Sequence, residues 1–331
     1  MAVTMEATMP NTMRALQIVA PNDARVVTVD VPQIGAGDVL VRIKAATVCS
    51  HWDLSMLGGW DIFERPGFPK YPISPGWPGH EVAGEVIAVG EGVDAFRPGD
   101  HVAAWSSRHS QQEGKLGYYA EYAAIPAEDL LAVPESMPFE EAAILEMAMC
   151  VAASIRQAGD LSGRNVAIGG AGAAGLLALQ MARSLGARRV DVFEPTESRR
   201  KLALTLGAHA AFDPASDDAK ALSPRTYEVA FECAGAAASA QNLMRVTSGS
   251  VHLFGVVHGE IRFTMDHWSR NVHLFGYPGH SRESAELGLA LMACGGVKVS
   301  PIIGVTVGFD NYLDGIARLK TGEAAKMCVV P

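Results

Sequence analysis

The stretch Asn165–Glu194, NVAIGGAGAAGLLALQMARSLGARRVDVFE, holds more architectural information than any other part of the chain. Asn165–Ile168 is short and apolar and reads as a strand. Gly170, Gly172 and Gly175 follow in a GxGxxG spacing, and Leu176–Leu185 is a helical run free of proline. Arg189–Phe193 is a second strand. Glu194 ends it, nineteen residues after the last glycine. Alone this glycine spacing is weak, but here a strand precedes it, a helix follows it and an acid closes the second strand. Glycines there permit a tight turn and close backbone approach, and the helix N-terminus favours a pyrophosphate. Gly170, Gly172, Ala173, Ala174 and Gly175 are therefore candidate dinucleotide contacts. Glu194 is placed to accept from the adenine ribose hydroxyls and to repel a 2′-phosphate, which favours NAD over NADP. Arg199 and Arg200 stand close in sequence and weaken that preference. The alternative is a glycine-rich helix start packed on a sheet with no ligand.

Strand–helix alternation continues on both sides of this unit. Phe139–Ala158 is alanine-rich and helical, Ser198–Leu206 is a second helix closed by Gly207, and strands are expected at Tyr227–Glu232, Val251–Phe254 and Val272–Phe275. This is the pattern of a doubly wound parallel sheet. Before Pro138 the texture differs. Arg14–Val19, Ala24–Asp30, Val39–Ala46, Glu81–Val89, Asp100–Ala104 and Tyr118–Ile125 are short β-rich runs punctuated by Pro and Gly, as in a partly open β-barrel. The two domains are expected at residues 1–148 with 281–331, and at 149–280.

The 331 residues carry 27 basic and 36 acidic side chains, a net charge of −9, with 49% apolar and 19% charged content. That composition excludes a disordered chain, and the lack of basic excess argues against nucleic acid as a partner. No apolar run is long enough to span a bilayer. The five cysteines are widely spaced with no CxxC, which fits a reducing compartment better than a disulfide framework. Met1–Thr12 has neither a basic nor an apolar leader segment and reads as a flexible extension, so a cytoplasmic location is expected.

Three residues stand out as metal donors. Cys49 lies in Cys49-Ser50-His51-Trp52-Asp53, and His80 in Pro78-Gly79-His80-Glu81. Glu146 is the only charge in Ala142–Ile155, and a lone acid in an apolar run needs a partner. Thiolate, imidazole and carboxylate are all zinc ligands, and three protein ligands plus an open position is the catalytic arrangement. Each alone also has a plain account: a small buried cysteine, a packed histidine, a carboxylate at a helix N-terminus.

The sequence resembles the zinc-dependent medium-chain alcohol dehydrogenase superfamily, in its sorbitol- and threonine-dehydrogenase-like branch. The resemblance runs from Met13 onward. It rests on Met13-Arg14-Ala15-Leu16, Gly37-Asp38-Val39-Leu40-Val41, the Cys49 segment, Pro78-Gly79-His80-Glu81 with Gly84 and Gly90, Pro98-Gly99-Asp100-His101-Val102, Glu146, the glycine motif, Leu206-Gly207-Ala208 and Gly255. It implies a GroES-like partly open β-barrel catalytic domain plus a Rossmann domain. It also implies a catalytic zinc on Cys49, His80 and Glu146, with Glu81 as an alternate or supporting ligand and Asp53 orienting the histidine. Cys150, one helical turn after Glu146, would back the nicotinamide ring. The activity implied is NAD-dependent oxidation of a secondary alcohol by hydride transfer from a zinc-bound alkoxide, and the reverse.

Two departures from the family pattern matter. Many members carry a structural zinc on four close cysteines, and Trp105–Tyr118 contains none, so at most one zinc per chain is expected. The family's Ser or Thr two residues after the first cysteine ligand is here His51, and Trp52 intervenes before Asp53. His51, or else Ser50, becomes the candidate proton relay; the alternative is a surface loop histidine.

Trp52, Trp60, Phe63, Phe68, Tyr71 and Trp77 crowd the segment between Cys49 and His80. They read either as the wall of a pocket for a bulky alcohol, polyol, sugar or cyclitol, or as a loop cluster or subunit contact. Trp52 is the pocket candidate, and Tyr277-Pro278-Gly279-His280 is a second lip. Competing functions are a zinc-free quinone or enoyl reductase of the same fold, against which the ligand residues argue, and a non-catalytic dinucleotide-binding protein. A homodimer or homotetramer is expected through the late strands.

Overall fold

The computed structural model describes residues 9–62, 64–106 and 115–331. Residues 1–8 of the expected extension, Phe63, and residues 107–114 of the cysteine-free stretch lie outside them. Among the described residues there are fifteen strands, numbered in chain order. They are β1 (Thr12–Ala20), β2 (Asp23–Asp30), β3 (Asp38–Thr47), β4 (Glu81–Val89), β5 (His101–Ala104), β6 (Tyr122–Pro126) and β7 (Leu130–Ala132). There follow β8 (Asn165–Gly169), β9 (Arg189–Phe193), β10 (Ala210–Phe212), β11 (Tyr227–Glu232), β12 (Thr247–Leu253), β13 (His273–Phe275), β14 (Ile303–Gly308) and β15 (Lys326–Val330).

The chain divides into two compact units, Met1–Glu135 with Thr306–Ile316 and Cys328–Pro331, and Ser136–Val305 with Ala317–Met327. The division falls at 135, where the sequence reading drew it at 148, and returns only two short late segments to the first unit. In the second unit the helix Leu145–Ala158 packs along the helix Arg282–Ala293. Gly288 permits that approach: a β-carbon there would meet the Ala148 carbonyl carbon at 3.2 Å.

In the first unit β1 and β2 form an antiparallel hairpin, and an open seven-stranded sheet runs β14-β15-β3-β4-β5-β7, with β6 pairing β3 as well. Met13, Ala15, Leu40, Ala120 and Tyr122 pack between hairpin and sheet. β6 is shorter than the expected Tyr118–Ile125. The N–H groups of Tyr118 and Tyr119 donate to Gly79 and Gly76 carbonyls instead of a strand ladder. That departure turns Tyr119 into the interior, where it is wholly buried.

The second unit is a six-stranded sheet in the order β10-β9-β8-β11-β12-β13, with every neighbouring pair parallel. Counted from β8, this is the 3-2-1-4-5-6 order whose direction reverses between β8 and β11, and ligands bind outside the carboxyl ends of strands at such a point. Strand interiors are mostly apolar, as a sheet covered on both faces requires; Ala167, Phe193, Tyr227 and Val251 are buried, and Leu243 of the helix Ala237–Val246 packs with them. The expected helix Phe139–Ala158 is two helices, Phe139–Ala142 and Leu145–Ala158, with a break that sets Glu146 in the first turn of the second. No helix among the described residues is long and apolar enough to cross a membrane.

Candidate active site

β3 ends at Thr47, directly opposite Glu81 at the start of β4. Cys49 lies two residues beyond one strand and His80 one residue before the other, so strand pairing alone brings them together. A sulfur of Cys49, a ring nitrogen of His80 and a carboxylate oxygen of Glu81 all lie within 4.8 Å of one another. The His80 Nδ1 lies 2.8 Å from the Pro78 carbonyl, which can only accept. Nδ1 therefore carries the proton and Nε2 offers its lone pair. Nε2 is 4.0 Å from Glu81 Oε1, and the other Glu81 oxygen accepts from the Thr47 hydroxyl.

Asp53 backs this set. The Cys49–Asp53 segment makes one helical turn into the helix Trp52–Gly58: Asp53 N–H donates to the Cys49 carbonyl at 3.0 Å, and Cys49 N–H donates back to Asp53 Oδ2 at 2.9 Å. A spacing of four places both residues on one face, so the inserted Trp52 leaves the acid in reach. Asp53 Oδ1 stands 3.5 Å from His80 Nδ1, and Oδ2 also accepts from the Tyr119 hydroxyl. Burial pushes the Asp53 carboxyl up to about 6, against the pull of His80 and the Tyr119 hydrogen bond. Burial likewise raises Tyr119, keeping it a donor.

His51 is half-buried at the start of the helix Trp52–Gly58. Trp52 is only 7% exposed. It meets Trp77 edge-on at 5.8 Å and stacks on Phe68 at 6.4 Å, and the Arg65 guanidinium lies 4.0 Å from the Phe68 ring centre. Trp52, Phe68 and Trp77 thus form a packed cluster rather than an open wall, while Trp60 is exposed.

In the second unit Gly170 takes a left-handed φ of +92°, and a β-carbon at Gly175 would lie 2.0 Å from the Gly170 carbonyl oxygen. A β-carbon at Gly172 would meet nothing within 4 Å. The loop thus needs two of its glycines for its own turn and leaves open space at the third, which suits a bound pyrophosphate. Glu194 is buried at the end of β9; Oε2 accepts from Ala171 N–H at 2.8 Å and Oε1 from Thr196 N–H at 2.9 Å. Arg200 donates to the Glu194 and Pro195 carbonyls. Arg199 is half-buried in the helix Glu197–Thr205.

Within the second unit Glu146 has close polar neighbours of its own. Its Oε1 lies 3.7 Å from Cys150 Sγ and 3.8 Å from His280 Nε2. Burial first, and then the neighbouring Cys150 thiol, raise the Tyr277 hydroxyl above its ordinary value and keep it protonated. Sequence reasoning assigned no chemistry to Thr47, Tyr119 or His280. Thr47 and Tyr119 carry no motif, and only strand register and a turn reveal them.

Comparison with known proteins fits this geometry. Residues 35–135 match the alcohol dehydrogenase GroES-like domain, and residues 173–293 the zinc-binding dehydrogenase domain. The L-threonine 3-dehydrogenase of Pyrococcus horikoshii is 32% identical over 92% of this chain and 94% of its own. This chain belongs to the zinc-dependent medium-chain alcohol dehydrogenase superfamily. Its superfamily fold recurs in the crystal structure of 2R,3R-butanediol dehydrogenase from Bacillus subtilis, at a TM-score of 0.84 and 23% identity over 96% of this chain and 99% of that one. It recurs again in galactitol-1-phosphate dehydrogenase from Escherichia coli, with a TM-score of 0.84 and 23% identity, over 96% and 100% of the two chains.

The raised Asp53 carboxyl has a pH signature. A group that binds its proton more tightly when folded contributes its full stability below about pH 4, and loses it as pH rises through the folded value, here about 6. In chelator-treated protein, the melting temperature of the parent relative to Asp53→Asn is expected to fall between about pH 4 and 6 and then level off. A difference that rises or stays flat across that window refutes the assignment.

Proposed function

We propose that this chain oxidises a secondary alcohol to a carbonyl, and runs the reverse, using a nicotinamide dinucleotide and zinc. The observation that carries the reading is the convergence of half-buried Cys49 with buried His80 and Glu81, oriented by Asp53 from behind. The donor set fits zinc: soft sulfur, an imidazole with a defined tautomer, and carboxylate within one small volume. When bound, zinc supplies a Lewis acid that lowers the pKa of an alcohol substrate, and the nicotinamide ring supplies the hydride acceptor.

This chain's own residues do the remaining work. Cys49 and His80 Nε2 hold the ion, and the carboxylate is Glu146, as the family resemblance implies, or Glu81. One thiolate and one carboxylate offset a divalent charge and leave a site suited to a neutral substrate. Asp53 and the Pro78 carbonyl fix the His80 ring. His51, half-buried beside the site, passes the substrate proton to solvent. Cys150 backs the nicotinamide ring. The substrate is a bulky alcohol, a polyol, sugar or cyclitol included, with Trp52 meeting its pocket only by the edge that the aromatic cluster leaves open; threonine, which the cited relative is named for, also presents a secondary hydroxyl. A cytoplasmic location fits the free cysteines.

A panel of polyols, butanediol and L-threonine with NAD tests this. Turnover on at least one alcohol is expected to vanish on chelation, to return with zinc, and to fall to background in Cys49→Ser. Turnover indifferent to chelation would favour a zinc-free reductase, and bound zinc with no turnover on any alcohol a non-catalytic role.

NAD is the preferred dinucleotide. Glu194 is held by two backbone N–H groups, that of Ala171 in the glycine loop and that of Thr196 just after β9, which fixes its carboxylate where a 2′-phosphate would press. Glu194→Gln keeps an acceptor and removes the charge. It is expected to shift the NAD to NADP ratio of kcat/KM toward NADP by about tenfold, the effect of some 1.4 kcal/mol; an unchanged ratio counts against it.

The chain forms a homodimer, or a tetramer of such dimers. β13 is an edge strand with all three residues exposed, and Trp268 (68% exposed) and Met265 (73%) lie in the short helix just before it. An unprotected apolar edge invites strand pairing. Light scattering after size exclusion is expected to give a dimer or tetramer, and Leu274→Lys smaller species; a monomeric parent overturns this.

A further inference from the structure

The two oxygens of Asp53 have different tasks. Oδ2 takes two donors, the Cys49 N–H at 2.9 Å and the Tyr119 hydroxyl. Oδ1 is buried without a hydrogen bond among the described residues and faces His80 Nδ1 at 3.5 Å. The carboxyl torsion of an aspartate is soft, so whatever holds Oδ2 decides where Oδ1 points. We propose that Tyr119 is a positioning residue for the metal site: by donating to Asp53 Oδ2 it aims Oδ1 at His80 and so sets how tightly the Cys49–His80 pair holds zinc. This rests on the zinc reading given above and adds to it a residue that touches neither metal nor substrate.

The chain is built to place that hydroxyl. Tyr119 N–H donates to the Gly76 carbonyl at 2.9 Å, its carbonyl accepts from Leu16 N–H at 2.8 Å, and Tyr118 N–H donates to the Gly79 carbonyl at 3.0 Å. Gly79 directly precedes His80, and a β-carbon there would lie 2.6 Å from Tyr119 Cγ. The phenol ring therefore packs on the very turn that delivers the histidine, and one contact places both. Tyr119 is wholly buried, and a buried phenol needs a partner for its hydroxyl; that partner is Asp53. Tyr312 supplies the contrast. It comes from the late segment that returns to the first unit, and its ring centre lies 5.8 Å from that of Tyr119. Its hydroxyl is buried too, but makes no hydrogen bond among the described residues.

Titrating metal-stripped protein with zinc against a chelating indicator reads affinity without substrate or dinucleotide. Tyr119→Phe removes one oxygen and keeps the ring. It is expected to weaken zinc binding by about tenfold, the low end of what losing an outer contact to a ligand costs. Tyr312→Phe, which removes a hydroxyl from the same interior, is expected to leave affinity unchanged. In an Asp53→Asn background Tyr119→Phe should cost nothing further, because its effect runs through that carboxylate. A tyrosine that only fills space would lower the melting temperature and leave zinc affinity alone. The inference is overturned if Tyr119→Phe binds zinc like the parent, if Tyr312→Phe weakens it equally, or if the loss recurs in full in Asp53→Asn. Circular dichroism checks the fold of each variant. Should Tyr119→Phe not fold, 3-fluorotyrosine at position 119 keeps the ring and alters the donor strength; an unshifted affinity there also overturns the inference. A parent that takes up no zinc sinks both readings, whereas an unchanged affinity in Tyr119→Phe sinks this one alone.

Discussion

A carboxylate taken out of water has to be compensated, and in the first unit Asp53 is the group around which that compensation is arranged. It has no solvent exposure, yet it accepts from the Cys49 backbone and the Tyr119 hydroxyl and faces the His80 ring. Those contacts come from the end of β3, the segment before β6 and the segment before β4. One side chain therefore ties three separate pieces of chain to each other. The cysteine and histidine on either side of it inherit their positions from that tie, and the Thr47–Glu81 pair adds a second one across the same two strands.

The second unit solves its own version of the problem. β9 and β11 flank β8, and each ends in a buried glutamate whose oxygens turn back onto backbone N–H groups: Glu194 onto Ala171 and Thr196, Glu232 onto Ala234 and Gly235. Loops at the carboxyl edge of a parallel sheet carry many unpaired donors. Here acidic side chains answer them at the ends of both strands that flank β8.

The parallel sheet was legible from glycine spacing and alternating apolar runs, because those patterns follow directly from backbone geometry. Most strands fall within a few residues of the expected ranges. Short elements such as β7 and β10 were not legible, since three residues carry too little periodicity, and the break at Ile144 is hidden by uniformly apolar sequence. Cys49, His80, Glu81 and Asp53 were named from sequence and lie together. Tyr119 was not named: an ordinary β-rich residue becomes a partner of Asp53 only because two glycine carbonyls draw its backbone away from the ladder. His280 was seen only as part of a loop, because its meeting with Glu146 spans more than a hundred residues of chain.

The double duty of Glu194 constrains how such a protein can change. The carboxylate proposed above to meet the adenosine end of the dinucleotide also secures the glycine-rich turn through Ala171. A lineage drifting toward a phosphorylated cofactor cannot simply trade this acid for a cation, because the turn would lose its anchor in the same step. A replacement acceptor for the Ala171 amide has to arise first. Cofactor preference here is thus heritable as a block of linked positions rather than as one adjustable residue.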